Sequence, residues 1–357
     1  MNIKKKVLVA MSGGADSSVA AYLLVKEGYE VIGLTFDLFQ SSCQDSNPRT
    51  CCSLAAFEDV RDVAEKLGIS HYIINLKEEF EREVINYFIK EYLNGKTPNP
   101  CVKCNEKIKF ATLLNKAKEL GADYIATGHY AKVEYDKSRE SYLLKKGTDL
   151  KKDQSYVLFC LNQNILSKTI FPLGNLKKEE IRKIAKESGL LIHNKPESQE
   201  ICFIPSNDLR IFFKINKISD KLGHIMDKNG KILGSHSGIH CFTIGQRRGL
   251  GIAKGKPLYV IKIDQDKNIV IVGEKKELLK NELTASNVSW VTGSIPNKPI
   301  TVKAKIRYTH NETLALIIPI FNKKVKVKFS DPQQAITPGQ AIVFYKNDVL
   351  LGGGWID

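Results

Sequence analysis

A strand, a glycine-containing loop and a helix follow one another near the start of this 357-residue chain, and this order limits the folds open to it. The short apolar run at residues 7–11 predicts a buried strand, and residues 17–26 have apolar side chains at helical spacing. Between them lies the loop Ser12-Gly13-Gly14-Ala15-Asp16-Ser17. Two glycines allow a sharp turn and a close approach to a ligand, and a helix start attracts anions. The segment predicts a cradle for pyrophosphate.

Two common phosphate loops are excluded by the same residues. The loop lacks the lysine of a Walker loop, and it lacks the three spaced glycines of a dinucleotide fingerprint. Asp16 is an acid beside a phosphate site, so we expect it to hold Mg²⁺ rather than to touch phosphate. The simpler alternative is a glycine turn that leads into a capped helix.

Strand and helix patterns alternate over the first half of the chain. The apolar spacing predicts strands at 30–37, 71–76 and 123–127 and helices at 55–67, 78–93 and 106–120. This alternation indicates an α/β fold with a doubly wound parallel sheet, in which ligands bind beyond the carboxyl ends of the strands.

The pattern changes twice further along the chain. We predict a catalytic domain at 1–205, a small central mixed module at 206–275 and an antiparallel β-barrel at 276–357. In the barrel, residues 301–308 alternate Val302, Ala304, Ile306 and Tyr308 with cationic residues, and residues 324–329 alternate in the same way. Two strands with an apolar inner face and a cationic outer face suggest a small barrel that contacts nucleic acid.

The net charge of +15 also favours an anionic partner, although a lysine-rich solvated surface is the alternative. The longest apolar runs are too short for a membrane span, and residues 7–11 are too short for a signal sequence. We therefore expect a soluble, unexported protein without a membrane partner.

The cysteines are the second chemical feature. Cys101 and Cys104 form a C-x-x-C pair after two prolines, which we expect to keep the segment out of a helix. We expect Cys104 at or near a helix N-terminus, where the dipole and nearby Lys103 and Lys107 would lower its thiol pKa. With Cys202, the pair has several interpretations: an incomplete zinc site, a redox pair, a nucleophile with an assisting thiol, or three ligands of a 4Fe–4S cluster. Cys160 and Cys241 are better explained as inert buried thiols.

Ser-Gly-Gly-x-Asp-Ser after a strand is similar to the signature of the N-type ATP pyrophosphatases, which cleave ATP to AMP and pyrophosphate. Further motifs match in order through nearly the whole chain: 11–19, 97–110, 122–131 (ADYIATGHYA), 152–156 (KDQSY), 198–204 (SQEICFI), 242–251 (FTIGQRRGLG), 337–345 (TPGQAIVFY) and 351–354. On these motifs the chain resembles the tRNA-specific 2-thiouridylase family.

The resemblance implies that ATP adenylates the C2 carbonyl oxygen of the wobble uridine. A persulfide on Cys202 would then supply sulfur, and Cys104 would resolve it through a disulfide. Cys101 stands where many members have aspartate. This departure keeps open a second route, in which Cys101, Cys104 and Cys202 hold a 4Fe–4S cluster that delivers sulfide.

The resemblance also assigns the ligand contacts. ATP would contact Ala10, Met11, Ser12, Gly13, Gly14, Ala15, Asp16, Ser17, Phe36 and Gly128. The target base would meet Asn99, Pro100 and Cys101, and the rest of the tRNA would meet His129, Lys152, Asp153, Gln154, Arg307, Tyr308 and Gln340. Lysines 303, 305, 324, 326 and 328 would position phosphates.

The expected partners are tRNAs for lysine, glutamate and glutamine, together with a sulfur donor such as a cysteine desulfurase or a relay protein, in the cytoplasm. One alternative is another ATP pyrophosphatase that forms an amide or amino product, although no glutaminase domain is visible. The other is a tRNA-binding protein that has lost its chemistry. Cys43, Cys51 and Cys52 have no assigned role.

Overall fold

The computed structural model describes residues 4–38, 54–190, 201–252 and 255–357. Cys43, Cys51, Cys52 and residues 198–200 lie outside the described residues. The α-helices are α1 Ala15–Lys26, α2 Leu54–Leu67, α3 Lys77–Phe80, α4 Asn86–Leu93, α5 Pro100–Lys103, α6 Phe110–Glu119, α7 Gln163–Leu166, α8 Lys178–Glu187 and α9 Leu209–Ile215. The strands are β1 Lys6–Ala10, β2 Glu30–Asp37, β3 Ser70–Asn75, β4 Tyr124–Ala126, β5 Ala131–Asp136, β6 Ser141–Lys146, β7 Thr169–Ile170, β8 Gly223–Asp227, β9 Ile232–His236, β10 Tyr259–Asp264, β11 Ile269–Gly273, β12 Leu279–Trp290, β13 Ile300–Lys305, β14 Thr313–Ile320, β15 Lys324–Gln334, β16 Ala341–Lys346 and β17 Val349–Ile356.

The first sheet is parallel, with strand order β3-β2-β1-β4-β7. The predicted strands and helices of this region are confirmed to within a few residues. The chain winds from β1 outward to β3 and then returns to place β4 on the other side of β1. The loops that follow β1 and β4 therefore lie side by side at the carboxyl edge, where parallel sheets of this kind bind ligands.

The central part of the chain forms a four-stranded mixed sheet with order β10-β11-β8-β9. The pair β11–β8 is parallel, and the other two pairs are antiparallel. This sheet has its own apolar cluster, which includes Ile225, Phe242, Val260 and Val270. The predicted mixed character of this region is confirmed.

The last part of the chain is an antiparallel barrel of β12-β15-β14-β13-β16-β17, which the pairing of β17 with β12 closes. Val325, Val327 and Phe329 are buried in its interior, whereas Lys324 and Lys328 are exposed. The predicted barrel and the alternation along this strand are confirmed.

One prediction about the barrel is wrong. Strand β13 ends at Lys305, and Arg307 and Tyr308 lie in the turn that follows, where the backbone N–H of His310 donates to the carbonyl of Arg307 at 3.1 Å. Tyr308 is 39% exposed rather than packed on the inner face. The chain reverses here to enter β14, so the strand alternation does not continue to residue 308.

A hairpin from the first domain extends the barrel sheet. Strands β5 and β6 pair with each other, and β6 then pairs with β17 through Lys145 opposite Val349 and Leu144 opposite Leu350. This hairpin was not predicted from the sequence. The β6–β17 pairing joins the predicted first and third domains. The domain boundaries stay a prediction.

Aromatic rings fill the layer between the helices and the central module. Phe88 is fully buried, and its ring centroid lies 5.1 Å from Phe203, 5.4 Å from Phe212 and 4.9 Å from Tyr92. These contacts fix the segment around Phe203 against α4. Among the described helices, none is both long and apolar enough to cross a membrane.

We expect Phe88→Ala to lower the free energy of unfolding by about 3–5 kcal/mol, because it removes a fully buried ring from this cluster. Urea unfolding followed by circular dichroism measures the loss. The matched control is Phe321→Ala, since Phe321 is 90% exposed and should contribute little. Equal losses from the two variants would contradict the packing described here.

Candidate active site

The loop after β1 is held in shape by its own side chains. The Ser17 hydroxyl accepts the backbone N–H of Ser12 at 3.1 Å and donates to the carbonyl of Gly14 at 3.1 Å. Ser18 donates to the same carbonyl at 3.1 Å. Gly13 has φ +70°, and a Cβ there would lie 2.6 Å from the carbonyl oxygen of Ala56. The loop therefore needs glycine at this position, and α1 begins at its edge with Ala15.

The loop after β4 rests on the first turn of α1. A Cβ on Gly128 would lie 2.8 Å from the backbone nitrogen of Ser17 and 2.9 Å from the carbonyl carbon of Asp16. Only glycine permits this approach. The close contact brings two predicted ATP-binding segments together around the N-terminus of α1, where backbone N–H groups and the helix dipole favour a phosphate group.

Asp16 has two side-chain partners that sequence reasoning missed. The Tyr130 hydroxyl donates to Asp16 Oδ1 at 2.6 Å, and the Lys178 ammonium donates to the same oxygen at 2.7 Å. Lys178 is the first residue of α8 and is only 8% exposed. Tyr130 lies inside a recognised motif, whereas no motif marked Lys178.

Gln154 links a predicted tRNA-contacting segment to this network. Its side-chain carbonyl accepts the backbone N–H of Tyr130 at 3.1 Å, and its own backbone N–H donates to the carbonyl of Tyr130 at 2.9 Å. Asp153, its neighbour, is buried and accepts the N–H and hydroxyl of Ser155 at 3.2 and 2.8 Å. Burial raises the pKa of the Asp153 carboxyl. Lys152 is half-buried beside them.

Three predicted ATP contacts, Ala10, Met11 and Phe36, lie at the carboxyl ends of β1 and β2. Ala10 pairs with Leu34, and the backbone N–H of Met11 donates to the carbonyl of Leu34 at 2.8 Å. Phe36 is 8% exposed at the carboxyl end of β2. These positions adjoin the phosphate loop, as a bound nucleotide requires.

The helix that contains Cys104 begins earlier than predicted. Pro100 occupies the first helical position of α5, and the Asn99 side chain caps it by accepting the N–H of Val102 at 3.3 Å. Proline is tolerated there because that position needs no N–H donor. The exposed Cys101 therefore lies in the first turn, whereas Cys104 lies one turn later and is only 8% exposed.

The lysines expected to support the Cys104 thiolate have other partners. Lys103 forms an ion pair with Glu106 at 3.0 Å, and Lys107 lies 3.4 Å from the same carboxylate. The Lys103 ammonium also lies 5.2 Å from the ring centroid of Trp355. This face of the helix borders a cavity of about 560 Å³ between the first domain and the barrel. The cavity lining includes Val102, Lys103 and Glu106 but neither Cys101 nor Cys104, so we do not assign the reaction to it.

Cys202 packs against the apolar cluster that contains Cys104. It is half-buried, and the next residue, Phe203, packs on Phe80 and Phe88 at 5.8 and 5.1 Å between ring centroids. Cys104 is a member of the cluster, which includes Phe36, and Cys202 packs against it. Within the described residues, no group of three or more His, Cys, Asp or Glu side chains could hold a metal ion. Cys101, Cys104 and Cys202 do not form such a group.

Two residues predicted to contact tRNA join separate parts of the fold. The Gln340 side-chain amide donates to the carbonyls of Thr97 and Pro98 at 2.9 and 3.3 Å, just before the predicted target-base segment. Arg307 donates to the Ala335 carbonyl and to the Thr337 hydroxyl, and its burial lowers the pKa of the guanidinium.

Comparison with known proteins assigns the chain to a family. A family model described as tRNA methyl transferase HUP domain matches residues 5–206. Models described as tRNA methyl transferase PRC-barrel domain and aminomethyltransferase beta-barrel domain match residues 213–274 and 280–356. The tRNA-specific 2-thiouridylase MnmA of Acetivibrio thermocellus is 49% identical over 99% of both chains. The tRNA-specific 2-thiouridylase MnmA 2 of Thermoanaerobacter sp. is 52% identical over 100% of this chain and 99% of that one, and the MnmA of Halothermothrix orenii is 53% identical over 98% of each.

The chain belongs to the tRNA-specific 2-thiouridylase family. The predicted family and fold class are thereby confirmed. The individual site residues stay predictions, because neither the family models nor the relatives identify them.

His129 is one of the residues predicted to contact tRNA, and the groups around its ring determine its charge. Its Nδ1 lies 2.7 Å from the Thr127 hydroxyl, and its ring lies 5.9 Å from Phe110 and 6.1 Å from Phe171 between centroids. Desolvation, reinforced by Lys109, lowers the pKa of His129 to about 3. Its imidazole is therefore neutral near pH 7.

This low pKa has a consequence for stability. The pKa of His129 is lower in the folded protein than the ordinary value of 6.5, so the unfolded chain binds more protons below that pH. We expect the free energy of unfolding of the wild type to fall relative to His129→Gln by about 1 kcal/mol between about pH 7.5 and about pH 5.5. Urea unfolding of both proteins measures the difference. An NMR titration that places this imidazole near its ordinary pKa would contradict the assignment.

Proposed function

We propose that the protein is an ATP-dependent tRNA-uridine 2-sulfurtransferase, which replaces the C2 oxygen of the wobble uridine with sulfur. One observation carries the proposal: a single apolar cluster includes Phe36 at the nucleotide end of the sheet and Cys104, with Cys202 packed against it. A residue proposed to bind adenine and two thiols thus share one apolar cluster. The family relationship over the full chain supports the same activity.

The first step is activation of the base. The C2 carbonyl oxygen attacks the α-phosphorus of ATP, pyrophosphate leaves, and the uridine carries AMP on that oxygen. The loop at residues 12–17 and Gly128 would bind the phosphates, and Ala10, Met11 and Phe36 would bind the adenosine. When bound, Mg²⁺ would neutralise phosphate charge. The Asp16 carboxylate is the group near the loop suited to hold it, because carboxylate oxygens are the ligands Mg²⁺ prefers.

The second step transfers sulfur. The terminal sulfur of a Cys202 persulfide attacks C2, and AMP leaves with the former carbonyl oxygen. The Cys104 thiolate then attacks the Sγ of Cys202 and breaks the sulfur–sulfur bond of the persulfide. The electron pair of that bond stays on the sulfur attached to C2, which gives 2-thiouridine. Cys104 and Cys202 are left as a disulfide, which a cellular thiol must reduce before the next turnover.

The RNA contacts follow from the same arrangement. Asn99, Pro100 and Cys101 would meet the target base, which must leave its stack to be reached. His129, Lys152, Asp153, Gln154, Arg307, Tyr308 and Gln340 would contact the rest of the tRNA directly or hold the loops that do so. The tRNAs for lysine, glutamate and glutamine are the proposed acceptors. The sulfur would come from a cysteine desulfurase or a relay protein, and the reaction would take place in the cytoplasm.

Alanine variants of the cysteines test this function. We expect Cys202→Ala and Cys104→Ala to form no 2-thiouridine with tRNA, Mg-ATP and a persulfide donor, while both still release pyrophosphate. Cys160→Ala is the matched control, since burial raises the pKa of that thiol to about 12 and makes it unreactive. Nucleoside mass spectrometry and a pyrophosphate assay give the two readouts. Thiolation by Cys202→Ala would refute the mechanism, and a wild type that binds tRNA without either product would refute the activity.

Metal analysis separates the persulfide route from the cluster route. We expect protein purified without oxygen to be colourless, to contain no iron or labile sulfide, and to form 2-thiouridine from a persulfide donor. The half-buried Cys202 beside the apolar cluster that contains Cys104 is compatible with a persulfide resolved by a second thiol. A requirement for bound iron would overturn it and would assign all three thiols to a cluster.

A further inference from the structure

A row of aliphatic side chains runs along the outer face of barrel strand β14. Leu314 is 52% exposed, Leu316 38% and Ile320 44%, and Ile318 between them is half-buried. These alternate residues share one face of the strand, and at about 3.4 Å per residue they span about 20 Å. We call these four residues the β14 ridge. Phe321, which is 90% exposed, continues the apolar surface into the turn that follows.

Lysines frame the β14 ridge on both sides. On β13, Lys303 lies directly opposite Leu314. On the other side, three residues of the ridge each lie opposite a lysine of β15: Leu316 opposite Lys328, Ile318 opposite Lys326 and Ile320 opposite Lys324. The outer face of this part of the barrel is therefore an apolar strip between two cationic edges.

The positive charge along these edges is only partly balanced by the chain itself. Two of the four lysines have carboxylate partners: Lys326 pairs with Glu282 at 3.0 Å, and Lys324 lies 3.8 Å from Asp357. The other two, Lys303 and Lys328, form no ion pair within the described part of the chain. A partner with an apolar centre and carboxylates along both sides would cover the ridge and complement the remaining charge.

The backbone of β14 leaves such a partner only side chains to bind. The strand pairs with β13 on one side and with β15 on the other, so its N–H and carbonyl groups are used within the barrel. A partner therefore cannot add a strand here. An amphipathic helix can lay an apolar stripe on the ridge, and at 1.5 Å per residue a helix of about 14 residues matches its length.

We propose that the β14 ridge is the docking surface for an amphipathic helix of a partner protein, with apolar residues along its inner stripe and glutamate or aspartate along both edges. The aliphatic side chains of the ridge supply the apolar contact. The lysines on both sides select an acidic helix and reject a basic one, since charge complementarity sets specificity more than affinity. This surface goes beyond the proposed reaction and does not depend on it.

Two other occupants explain only half of the surface. RNA phosphates, which the sequence alternation predicted for these lysines, would neutralise the charge. They would leave the aliphatic ridge against polar sugar and phosphate, and aliphatic side chains offer no ring on which a base can stack. A second copy of the chain would cover the ridge. It would also bring the same lysines together across a two-fold axis, in a chain with a net charge of +15.

The test uses a synthetic helical peptide of about 14 residues, with leucines along one stripe and glutamates on both sides of it. Its Kd for the full-length protein is measured by fluorescence anisotropy. We expect Leu314→Ser and Leu316→Ser each to raise this Kd about tenfold, because an apolar contact is lost. Lys328→Glu should raise it at least about threefold. The matched controls are Leu279→Ser and Lys280→Glu on β12, where Leu279 is 49% exposed and Lys280 is exposed, and neither should change the Kd.

A second peptide with lysines in place of the glutamates tests the charge. We expect it to bind the wild type at least about tenfold more weakly, and added salt to weaken binding of the glutamate peptide. Equal affinity for the two peptides would overturn the proposal. An unchanged Kd in both leucine variants would do the same. Should Leu316→Ser fail to fold, Leu314→Ser at the more exposed position decides.

Three further measurements on the same proteins identify a different occupant, and each would replace the proposal. Weaker tRNA binding by Leu314→Ser, as large as its loss of peptide binding, would assign the ridge to RNA. A wild type that sediments as a dimer while Leu316→Ser sediments as a monomer would assign it to a second copy. Binding of the wild type but not of Leu314→Ser to phosphatidylglycerol vesicles would assign it to a lipid surface.

Discussion

The contact of Gly128 with the first turn of α1 is the constraint on which the rest of the site depends. It brings the loops after β1 and β4 within van der Waals distance of each other. The strand order reverses between these two strands, and parallel sheets bind ligands in the cleft at such a point. Any larger side chain at this position would push the two loops apart. Tyr130 follows two residues later, and its hydroxyl reaches Asp16 only because the loop lies so close.

From this contact the polar network extends toward the barrel. Gln154 holds the backbone of Tyr130, and the next residues lead to Tyr156, whose hydroxyl donates to the carbonyl of Ala341 at 2.8 Å. Gln340 in turn supports the loop before Asn99. Residues that the family resemblance assigns to tRNA therefore also connect the loop after β4, the segment before α5 and the barrel. Substitution of one of them would change geometry as well as RNA contact.

The sequence predicted those features that depend on local spacing. The strands and helices of the first sheet follow from apolar periodicity, and the alternation from Val325 to Phe329 revealed the barrel. The helix start was missed because Pro100 was taken as a breaker, although proline suits a first helical position. Lys178 and the hairpin β5–β6 were missed for another reason. Their partners, Asp16 and β17, lie far away in the chain, and no local pattern encodes such a contact.

The pairing of β6 with β17 has a consequence for synthesis of the protein. The ribosome makes the hairpin early, and its outer edge exposes unpaired backbone N–H and carbonyl groups until residues 349–350 have emerged. Such an edge is a site for aggregation, and pairing that spans a long stretch of chain forms slowly. Until the last strand is made, this edge of the hairpin is therefore open to pairing with other strands.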